Sequence, residues 1–407
     1  MESTLPLEIA PCPVAIPPVS EYTEKIETPT GSVSVVSGRQ LINMPHWVQC
    51  FAHQRKDHRC YGIIERTLAD GFEYRYFVLQ DCDGCVRAIQ PFFIVHQDLL
   101  VGLGAKMQSV VERLRSYFPN LFKTRILMVG CTAGEGHLSA DSDEEAHWIA
   151  RTLHDALYAH ARRLNVSLVV LKEFPSSYRQ SLNYFSGNGY TRLPSMPMVR
   201  LDIGFATFEE FMAKVLSGAT RKNLRRKFRK AAKTAPIEMQ VVDDVTPFVD
   251  EVYPLYLQVF HRAKMRFEKL TKAYLCELGQ MMPDKARFFI WRQNGKVVAF
   301  SVCMVQGQAI YDEYIGLDYP LALDLHLFFY TLRDIIQWAM NHGLKTYYSA
   351  STSYDPKLHL RCDLVPLDIY VSHTSWLPNL LLRWMLPLIG PTRRIPTLRQ
   401  FANACEL

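Results

Sequence analysis

The sequence predicts an α/β (α+β) protein made of two tandem domains, each a mixed, mostly antiparallel sheet flanked by helices. Three observations support this prediction. Strand-like and helix-like patterns follow each other in approximately the same order in the two halves of the 407-residue chain. Each half has a hairpin signal between apolar runs, Asp83-Gly84 in the first and Asn294-Gly295 in the second. Each half also has a long amphipathic helix pattern, over 141–164 and 321–344.

These patterns divide the chain into five segments. A length of 407 residues suits about two domains. The five segments are a Pro-rich irregular arm (1–32), a first domain that is a degenerate copy (33–205), a basic linker helix (206–235), a second domain (236–376) and an apolar and basic tail (377–407).

The composition indicates an ordinary globular protein of the cytoplasm. Apolar residues make up 48% of the chain and charged residues 21%. The N-terminal stretch has no basic region followed by an uninterrupted apolar one, so we expect no secretory signal. The ten cysteines are scattered, and several lie inside apolar runs, which favours reduced thiols over a disulfide framework.

Positive charge is concentrated in the sequence TRKNLRRKFRKAAK (220–233), which has eight basic residues and no acidic one. Leu216, Leu224 and Phe228 form an apolar stripe at helical spacing, which predicts a helix with one packed side and one cationic side. We expect the cationic side to face the cleft between the domains and to bind a phosphate-bearing donor or acceptor. A solvated face and contact with an anionic membrane stay open as alternatives. Binding to DNA is disfavoured, because no helix-turn-helix or zinc-finger pattern surrounds the segment.

Two longer stretches carry a family resemblance. They are FEEFMAKVLSGATRKNLRRKFRKAAK (208–233) and YIGLDYPLALDLHLFFYTLRDIIQWAMNHGLKTYYSASTSYDPK (314–357). Together with the order of elements, they resemble tandem GNAT-fold acyltransferases of the bacterial FemAB-like and BioF-like branch. The resemblance covers roughly residues 33–376.

The resemblance implies an N- or O-acyltransferase. Such an enzyme moves an acyl or aminoacyl group from a thioester or ester donor to an amine or hydroxyl. The acceptor would be a cell-envelope precursor or a small-molecule metabolite, and the first half would shape its cleft. The donor would be an acyl-CoA, an aminoacyl-tRNA or an acyl-carrier protein, and no metal would be needed. Acyl-CoA-dependent relatives grip the pyrophosphate with an Arg/Gln-x-x-Gly-x-Gly/Ala turn, which neither IGLDYPLALD (315–324) nor GCTAGEGHLS (130–139) reproduces.

The candidate catalytic carboxylates lie in the strand-like sequence YDEYIGLD (311–318). Strand alternation would place Asp312 and Tyr314 on one face and Tyr311 and Glu313 on the other. A carboxylate on a central strand is costly unless it is paired or used, so Glu313 or Asp312 is a candidate general base. The competing interpretation is a carboxylate that is merely paired with Arg or Lys.

The remaining candidates follow from the resemblance. Tyr354, in the sequence STSYDPK, matches a tyrosine of the family and would protonate the leaving group. The candidate donor- or phosphate-binding residues are Lys357, Arg221, Arg225, Arg226, Arg229 and Gly316.

Two cysteine patterns indicate other chemistry more weakly. Cys82-x-x-Cys85 has cysteines and histidines upstream, as a zinc site would, but their spacing is irregular. Cys131 with His137 is the best local pair for a cysteine nucleophile.

The segment 376–394 is apolar, with two tryptophans and three arginines. It predicts either a helix at a membrane interface, which would make the protein membrane-associated, or a helix that docks on its own domain or a second subunit. The alternative to an enzyme is therefore a non-catalytic peripheral membrane or RNA-binding protein that uses the basic helix at 220–233.

Overall fold

The computed structural model describes residues 24–98, 123–232, 235–263, 266–351, 353–390, 392 and 395–407. The strands in these residues are β1 (Glu24–Thr28), β2 (Gly31–Val36), β3 (Phe72–Gln80), β4 (Val86–Asp98), β5 (Lys123–Val129), β6 (Leu168–Pro175), β7 (Thr191–Pro194), β8 (Met198–Asp202), β9 (Ile237–Val242), β10 (Ala286–Gln293), β11 (Lys296–Gln306), β12 (Ala309–Leu317), β13 (Thr346–Ser349), β14 (Asp363–Val365) and β15 (Leu367–His373).

The α-helices in the same residues are α1 (Gly38–Leu41), α2 (Pro45–Gln49), α3 (His58–Thr67), α4 (Asp143–Arg163), α5 (Arg179–Gly187), α6 (Phe208–Val215), α7 (Gly218–Ala232), α8 (Val249–Arg262), α9 (Lys272–Met281), α10 (Tyr319–Ala322), α11 (Leu327–Asn341), α12 (Tyr354–His359) and α13 (Trp376–Ile389). Short 3₁₀ segments complete the chain at Ser176–Tyr178, Thr246–Phe248, Pro396–Gln400 and Ala404–Glu406.

The strands form two sheets, and both are mostly antiparallel. The first has the order β1-β2-β3-β4-β5-β6-β15-β7, and the second has the order β14-β8-β13-β12-β11-β10-β9. One parallel pair occurs in each sheet, β5 with β6 and β12 with β13. The predicted fold class, two mixed and mostly antiparallel sheets flanked by helices, is confirmed.

Three hydrophobic cores cover the faces of the two sheets. Phe92 and Phe93 of β4 lie in different cores, as do Phe288 and Phe289 of β10, because successive side chains of a strand point to opposite faces. Helices α4 and α5 cover the outer face of the first sheet. Helices α6, α7 and α11 cover the outer face of the second sheet. The third core contains residues of both halves, including those of α3, α8 and α9, and is called the middle core below.

Each half gives one strand to the sheet of the other. β8 belongs by sequence to the first half, but it pairs with β13 and β14 in the second sheet. β15 belongs to the second half, but it pairs with β6 and β7 in the first sheet. Asp368 of β15 is buried and accepts hydrogen bonds from Arg179 and Arg192 of the first half. The division into 33–205 and 236–376 does not anticipate this exchange, because strand patterns do not specify the partner strand.

Two details of the predicted segments need correction. The predicted irregular arm is wrong for residues 24–32, since β1 and the start of β2 form an antiparallel hairpin there. The rest of the arm lies outside the described residues. The predicted linker helix is two helices, because the backbone of Leu216 is extended between α6 and α7. The hydroxyl of Ser217 then accepts a hydrogen bond from the backbone N–H of Thr220 at 3.2 Å, near the start of α7.

The described helices include none that is both long and apolar enough to cross a membrane. In the same part of the chain, no group of three or more His, Cys, Asp or Glu side chains is placed to hold a metal ion. Eight cysteines are free thiols. Cys85 is disulfide-bonded, so the expectation of reduced thiols throughout is wrong at that position.

Candidate active site

A β-bulge lies in β12 at the position of the predicted catalytic carboxylates. In the pairing with β11, Tyr314 lies opposite Val302 and Asp312 lies opposite Cys303, so Glu313 is an extra residue without a direct partner. Because of the bulge, Glu313 and Tyr314 both point toward the first half of the chain, while Asp312 points into the core of the opposite face. The predicted alternation, with Asp312 and Tyr314 on one face, is therefore wrong.

The strands β12 and β13 separate at the same place. Their parallel pairing runs from Ala309 with Thr346 to Asp312 with Ser349, and β12 continues to Leu317 without β13 beside it. An unpaired strand edge presents backbone N–H and C=O groups that can bind an extended ligand. The bulge and the separation together make residues 313–317 a place where a substrate can lie against the strand.

Glu313 belongs to a buried network of charges between the two halves. Its Oε1 accepts a hydrogen bond from Nε of Arg55 at 2.7 Å and lies 3.9 Å from Nζ of Lys56. Arg55 also pairs with Glu135, and Nζ of Lys56 lies 3.3 Å from Oε2 of Glu135. Nε2 of His137 lies 3.2 Å from Oε1 of Glu135. The side chains of Arg55, Lys56, Glu135 and Glu313 are each less than 9% exposed, so these contacts are shielded from water.

The charges of this network balance one another. Burial alone would raise the pKa of Glu135, but Arg55 and Lys56 hold that pKa well below its usual range. Burial lowers the pKa of His137 despite the nearby Glu135 carboxylate, which favours a neutral imidazole. Two cations therefore face two carboxylates, Glu135 and Glu313, in a site where an unpaired charge would be costly.

A further carboxyl, that of Glu268, lies beside Tyr314. The hydroxyl of Tyr314 donates a hydrogen bond of 2.8 Å to Oε1 of Glu268. Burial raises the pKa of Glu268, and Lys172 and the Tyr314 hydrogen bond offset this only in part. The residue nevertheless keeps partial contact with solvent. A carboxyl of raised pKa that solvent can reach is suited to accept and release a proton.

The charges of both Glu268 and Glu313 act on the hydroxyl of Tyr274. Burial raises the pKa of Tyr274 strongly, and the charges of Glu313 and Glu268 both add to that shift. The hydroxyl is buried and has no hydrogen-bond partner among the described residues. The same two carboxylates also raise the pKa of Tyr314. These four residues, Glu268, Tyr274, Glu313 and Tyr314, are called the cleft cluster below.

The first half contributes Lys172 and Glu173, at the end of β6. Nζ of Lys172 donates to the carbonyl of Gly134 at 2.8 Å and to Oε2 of Glu173 at 2.6 Å, and it lies 5.2 Å from the ring centre of Phe267. Glu173 has a φ of 56°, a strained left-handed conformation for a residue with a side chain. Such strain is common at functional sites. The strained residue directly follows Lys172, whose ammonium lies near the ring of Phe267, the residue before Glu268.

The other predicted residues of the second half lie on the far side of β12. Asp312 accepts hydrogen bonds from Ser301 and, at 2.8 Å, from the hydroxyl of Tyr347, and burial raises its pKa. Lys357 is buried and donates to the carbonyl of Ala350, and burial lowers its pKa to about 8 despite the charge of Asp312. The hydroxyl of Tyr354, the candidate acid, donates to the carbonyl of Pro197 at 2.7 Å. This hydrogen bond helps to hold the start of the exchanged strand β8.

Gly316 has a packing role, and its predicted contact with the donor stays a prediction. A Cβ at this position would lie 2.2 Å from Cε1 of Phe300 and 2.7 Å from the backbone N of Tyr256. The glycine is needed because α8 approaches β12 closely. The neighbouring Asp318, which is buried, pairs with Lys296 at 2.7 Å.

The basic helix α7 packs on the outer face of the second sheet and not in the middle core, so the expectation that it faces the cleft between the domains is wrong. Leu224 is buried in the outer core and Phe228 packs against the same core. Four predicted arginines make local contacts. Arg221 donates to the carbonyl of Ala213, Arg225 pairs with Glu209, Arg226 donates to Asn223, and Arg229 donates to the carbonyl of Arg225.

Lysines on the same helix border the start of α11. Nζ of Lys227 lies 3.3 Å from the ring centre of Phe329, and Lys230 lies 3.8 Å from Asp324. Burial and the charges of Lys227, Lys230 and Arg226 lower the pKa of His326, the residue before α11. Positive side chains and the positive end of a 15-residue helix therefore meet at one place on the surface.

Comparison with known proteins decides the family. The family model FemAB_like, described as peptidoglycan biosynthesis/recognition, matches residues 109–353, which is more than half of the chain. The chain belongs to the FemAB-like family. Among curated proteins, none matches the sequence.

Solved structures similar to this FemAB-like protein share little sequence with it. FemX is 10% identical, with a TM-score of 0.50, over 85% of this chain and 96% of FemX, and this likeness shows the fold. L-PGS from Bacillus licheniformis is 14% identical, with a TM-score of 0.48, over 82% of this chain and 95% of its own. The C-terminal domain of a putative lysylphosphatidylglycerol synthetase from Agrobacterium fabrum is 13% identical, with a TM-score of 0.48, over 87% and 98% of the two chains.

Sequence reasoning missed most of the cleft residues of this FemAB-like protein. One signal was available, since Lys172 and Glu173 interrupt the buried-strand run VSLVVLKEF and buried charges are rarely free of a role. Glu135 lies in the Gly-rich turn 130–139, whose sequence pointed to a phosphate loop or to a Cys131–His137 pair rather than to a carboxylate. Glu268 lies in an irregular stretch before α9, where no periodicity marks it.

Proposed function

We propose that this FemAB-like protein is an acyltransferase whose reaction takes place in the cleft between the two sheets. It moves an acyl or aminoacyl group from a thioester or ester donor to an amine or hydroxyl acceptor. The observation that carries the proposal is Glu268, a carboxyl of raised pKa that accepts a hydrogen bond from Tyr314 of the bulged strand β12. The family and the fold support a transferase of this class.

Glu268 is the proposed general base. Its carboxylate takes a proton from the acceptor nitrogen or oxygen, which then attacks the carbonyl carbon of the donor. The bond from that carbon to the donor sulfur or oxygen breaks, the leaving group takes a proton from Tyr354 or from water, and Glu268 returns its proton to solvent. Tyr314 holds Glu268 in place through its hydrogen bond. Backbone N–H groups on the free edge of β12 would steady the oxyanion, as in other acyl-transfer sites.

Glu313, Asp312 and Tyr354 have narrower proposed roles. Glu313 is held by Arg55 at 2.7 Å, so its proposed role is to position the bulge. Asp312 and Lys357 lie on the donor side of β12, where Lys357, with a pKa of about 8, can supply either a charge or a proton near neutral pH. Tyr354 stays a candidate acid for the leaving group, if a bound donor displaces its contact with Pro197.

The donor approaches from the outer face of the second sheet in this proposal. The cationic residues of α7, including Arg221, Arg225, Arg226 and Arg229, lie there with the start of α11. The charge of Asp355 acts on Lys227, which indicates that the basic helix also approaches α12. An acyl-CoA, an aminoacyl-tRNA and an acyl-carrier protein all carry phosphate that this surface would attract. The acceptor enters from the first half, and the family description favours a cell-envelope precursor with a free amine.

The test is acyl transfer by purified protein with two donor classes. Thiol release from a panel of acyl-CoAs and transfer of a labelled amino acid from aminoacyl-tRNA are measured with amine acceptors. Replacing the base, Glu268→Gln, should lower kcat by about 100-fold or more. The matched control is Glu277→Gln, which removes a partly exposed carboxylate paired with Arg66. Activity of the wild type should rise with pH through the raised pKa of Glu268, because only the ionised form is a base.

Two results would contradict the proposal. One is a Glu268→Gln variant that keeps its activity and its pH profile within the range of the Glu277→Gln control. The other is a wild-type protein that transfers nothing from any of the donors to any amine. If the protein binds tRNA in a salt-dependent way without transfer, the RNA-binding alternative gains instead.

A further inference from the structure

Helix α13 is held firmly to the first sheet along one side. Nδ2 of Asn379 donates to the carbonyl of Gly189 at 2.8 Å, and its Oδ1 accepts from the backbone N–H of His373 at 2.9 Å. Leu382 and Leu386, on the same side of the helix, pack against the middle core. The orientation of α13 is therefore fixed by both polar and apolar contacts.

The opposite side of α13 exposes a broad apolar face. Trp376, Leu380 and Trp384 follow each other at four-residue spacing, which places them on one stripe of the helix. Leu377, Leu381 and Met385 widen that stripe. The exposed fractions are 78% for Trp376, 45% for Leu380, 75% for Trp384, 52% for Leu377, 58% for Leu381 and 57% for Met385. Scattered surface leucines need no explanation, but a continuous face of this kind marks an interaction site.

Basic residues accompany this face and acidic ones do not. The sequence from 374 to 400 has no Asp or Glu, whereas it contains Arg383, Arg393, Arg394 and Arg399. Arg383 is exposed on α13 itself. At the start of the helix, the exposed Tyr158 donates to the carbonyl of Thr374, and the guanidinium of Arg162 lies 5.6 Å from its ring centre. The helix thus combines apolar, aromatic and cationic groups.

We propose that α13 docks the protein on an anionic lipid surface, with its apolar face at the boundary between headgroups and acyl chains. Tryptophan is favoured at that boundary because its ring is apolar and its N–H is polar. Arg383 would lie at the depth of the phosphates and pair with them. A second copy of the chain is a poorer occupant, since the exposed face of α13 carries a positive charge and no acidic residue to pair with it.

Docking would place the cleft near substrates that reside in or on a membrane. The proposal about α13 does not depend on acyl transfer, because the helix contributes no residue to the cleft cluster. It adds a lipid surface as a binding partner of the protein.

The test is co-sedimentation of the full-length protein with vesicles. Vesicles of phosphatidylcholine with phosphatidylglycerol should bind the wild type, and pure phosphatidylcholine vesicles should bind it less. Removing both tryptophans, Trp376→Ala with Trp384→Ala, should weaken binding by about tenfold or more, since two large apolar side chains are lost. The matched control is Ile42→Ser with Leu323→Ser, which removes apolar side chains that are 75% and 78% exposed elsewhere. Raising the salt to about 1 M should weaken binding to anionic vesicles.

Unchanged vesicle binding by the tryptophan variant would overturn the proposal. It would also be overturned if the wild type were a dimer in sedimentation equilibrium and the variant a monomer, because a second copy would then be the occupant. Thermal melting checks that both variants fold. Transfer activity with water-soluble substrates should be equal in the wild type and the tryptophan variant, which separates this proposal from the function of the cleft.

Discussion

The buried network around Arg55 allows a sharp prediction about how the two halves are held together. Arg55 is 6% exposed, contacts Glu313 at 2.7 Å and also pairs with Glu135. Arg66 makes a comparable contact between the same halves, 2.7 Å to Glu277, but its side chain is 53% exposed. The two arginines therefore differ mainly in their access to water.

The expected costs follow from that difference. At an effective dielectric constant of about 20, a pair at 4 Å contributes about 4 kcal/mol of attraction, before desolvation is counted. Arg55→Ala would leave Glu135 and Glu313 with only Lys56 and His137 as cationic or polar partners. Removing one member of a buried pair costs about 3–5 kcal/mol, because the other charge is left buried. Arg66→Ala should cost about 0–1 kcal/mol, as exposed pairs do.

Urea unfolding followed by circular dichroism measures both costs as changes in the free energy of unfolding. The measurement belongs at pH 7. The pKa of Glu135 is lowered in the folded state, so its stabilisation is fully present above the unfolded value of 4.5 and is lost as pH falls through the folded value. The difference between Arg55→Ala and Arg66→Ala should therefore shrink in acid. Equal costs for the two variants at pH 7 would refute the claim that the network holds the halves together.

Two further predictions concern Gly316 and Lys357. Gly316→Ala should lower the free energy of unfolding by about 1–3 kcal/mol, because its Cβ would lie 2.2 Å from Phe300. Gly187→Ala, where nothing lies within 4 Å, is the matched control, and a loss no larger than in this control would contradict the packing argument. The pKa of Lys357 falls from 10.5 to about 8 on folding, so the unfolded chain binds more protons and stability should rise by up to about 3 kcal/mol between those pH values. Lys357→Met should remove most of that rise in urea midpoints measured from pH 7 to 10.5, and an unchanged rise would argue against this origin.

The sequence predicted hairpins and helices well, because these elements depend on interactions between residues that are close in the chain. The hairpin at Asn294-Gly295 is present, with both residues at positive φ and Gln293 opposite Lys296. The long helix patterns at 141–164 and 321–344 contain α4 and α11, although the second helix begins only at Leu327. Both signals depend on residues within a few positions of each other, so the sequence alone is sufficient to read them.

The candidate site was predicted only in part. β12 does carry the predicted carboxylates, Asp312 and Glu313, and the structure shows that β12 and β13 separate there. Lys357 lies close enough for the charge of Asp312 to affect its pKa. Tyr314 points to the face opposite the expected one, because the bulge at Glu313 adds one residue and shifts every following side chain to the other face. A bulge of this kind leaves no signal in the alternation of polar and apolar residues.

By itself, the sequence determined that this chain forms two similar α/β halves, that its positive charge gathers on α7 and that it resembles the FemAB-like family. Only the tertiary structure decided that the halves exchange β8 and β15, that α7 lies on the outer face and that Glu268 meets Tyr314 beside the middle core. The reason is distance along the chain. Helices and hairpins arise from neighbouring residues, whereas the contact between Glu268 and Tyr314 spans 46 positions and that between Arg55 and Glu313 spans 258, so both depend on how the sheets pack.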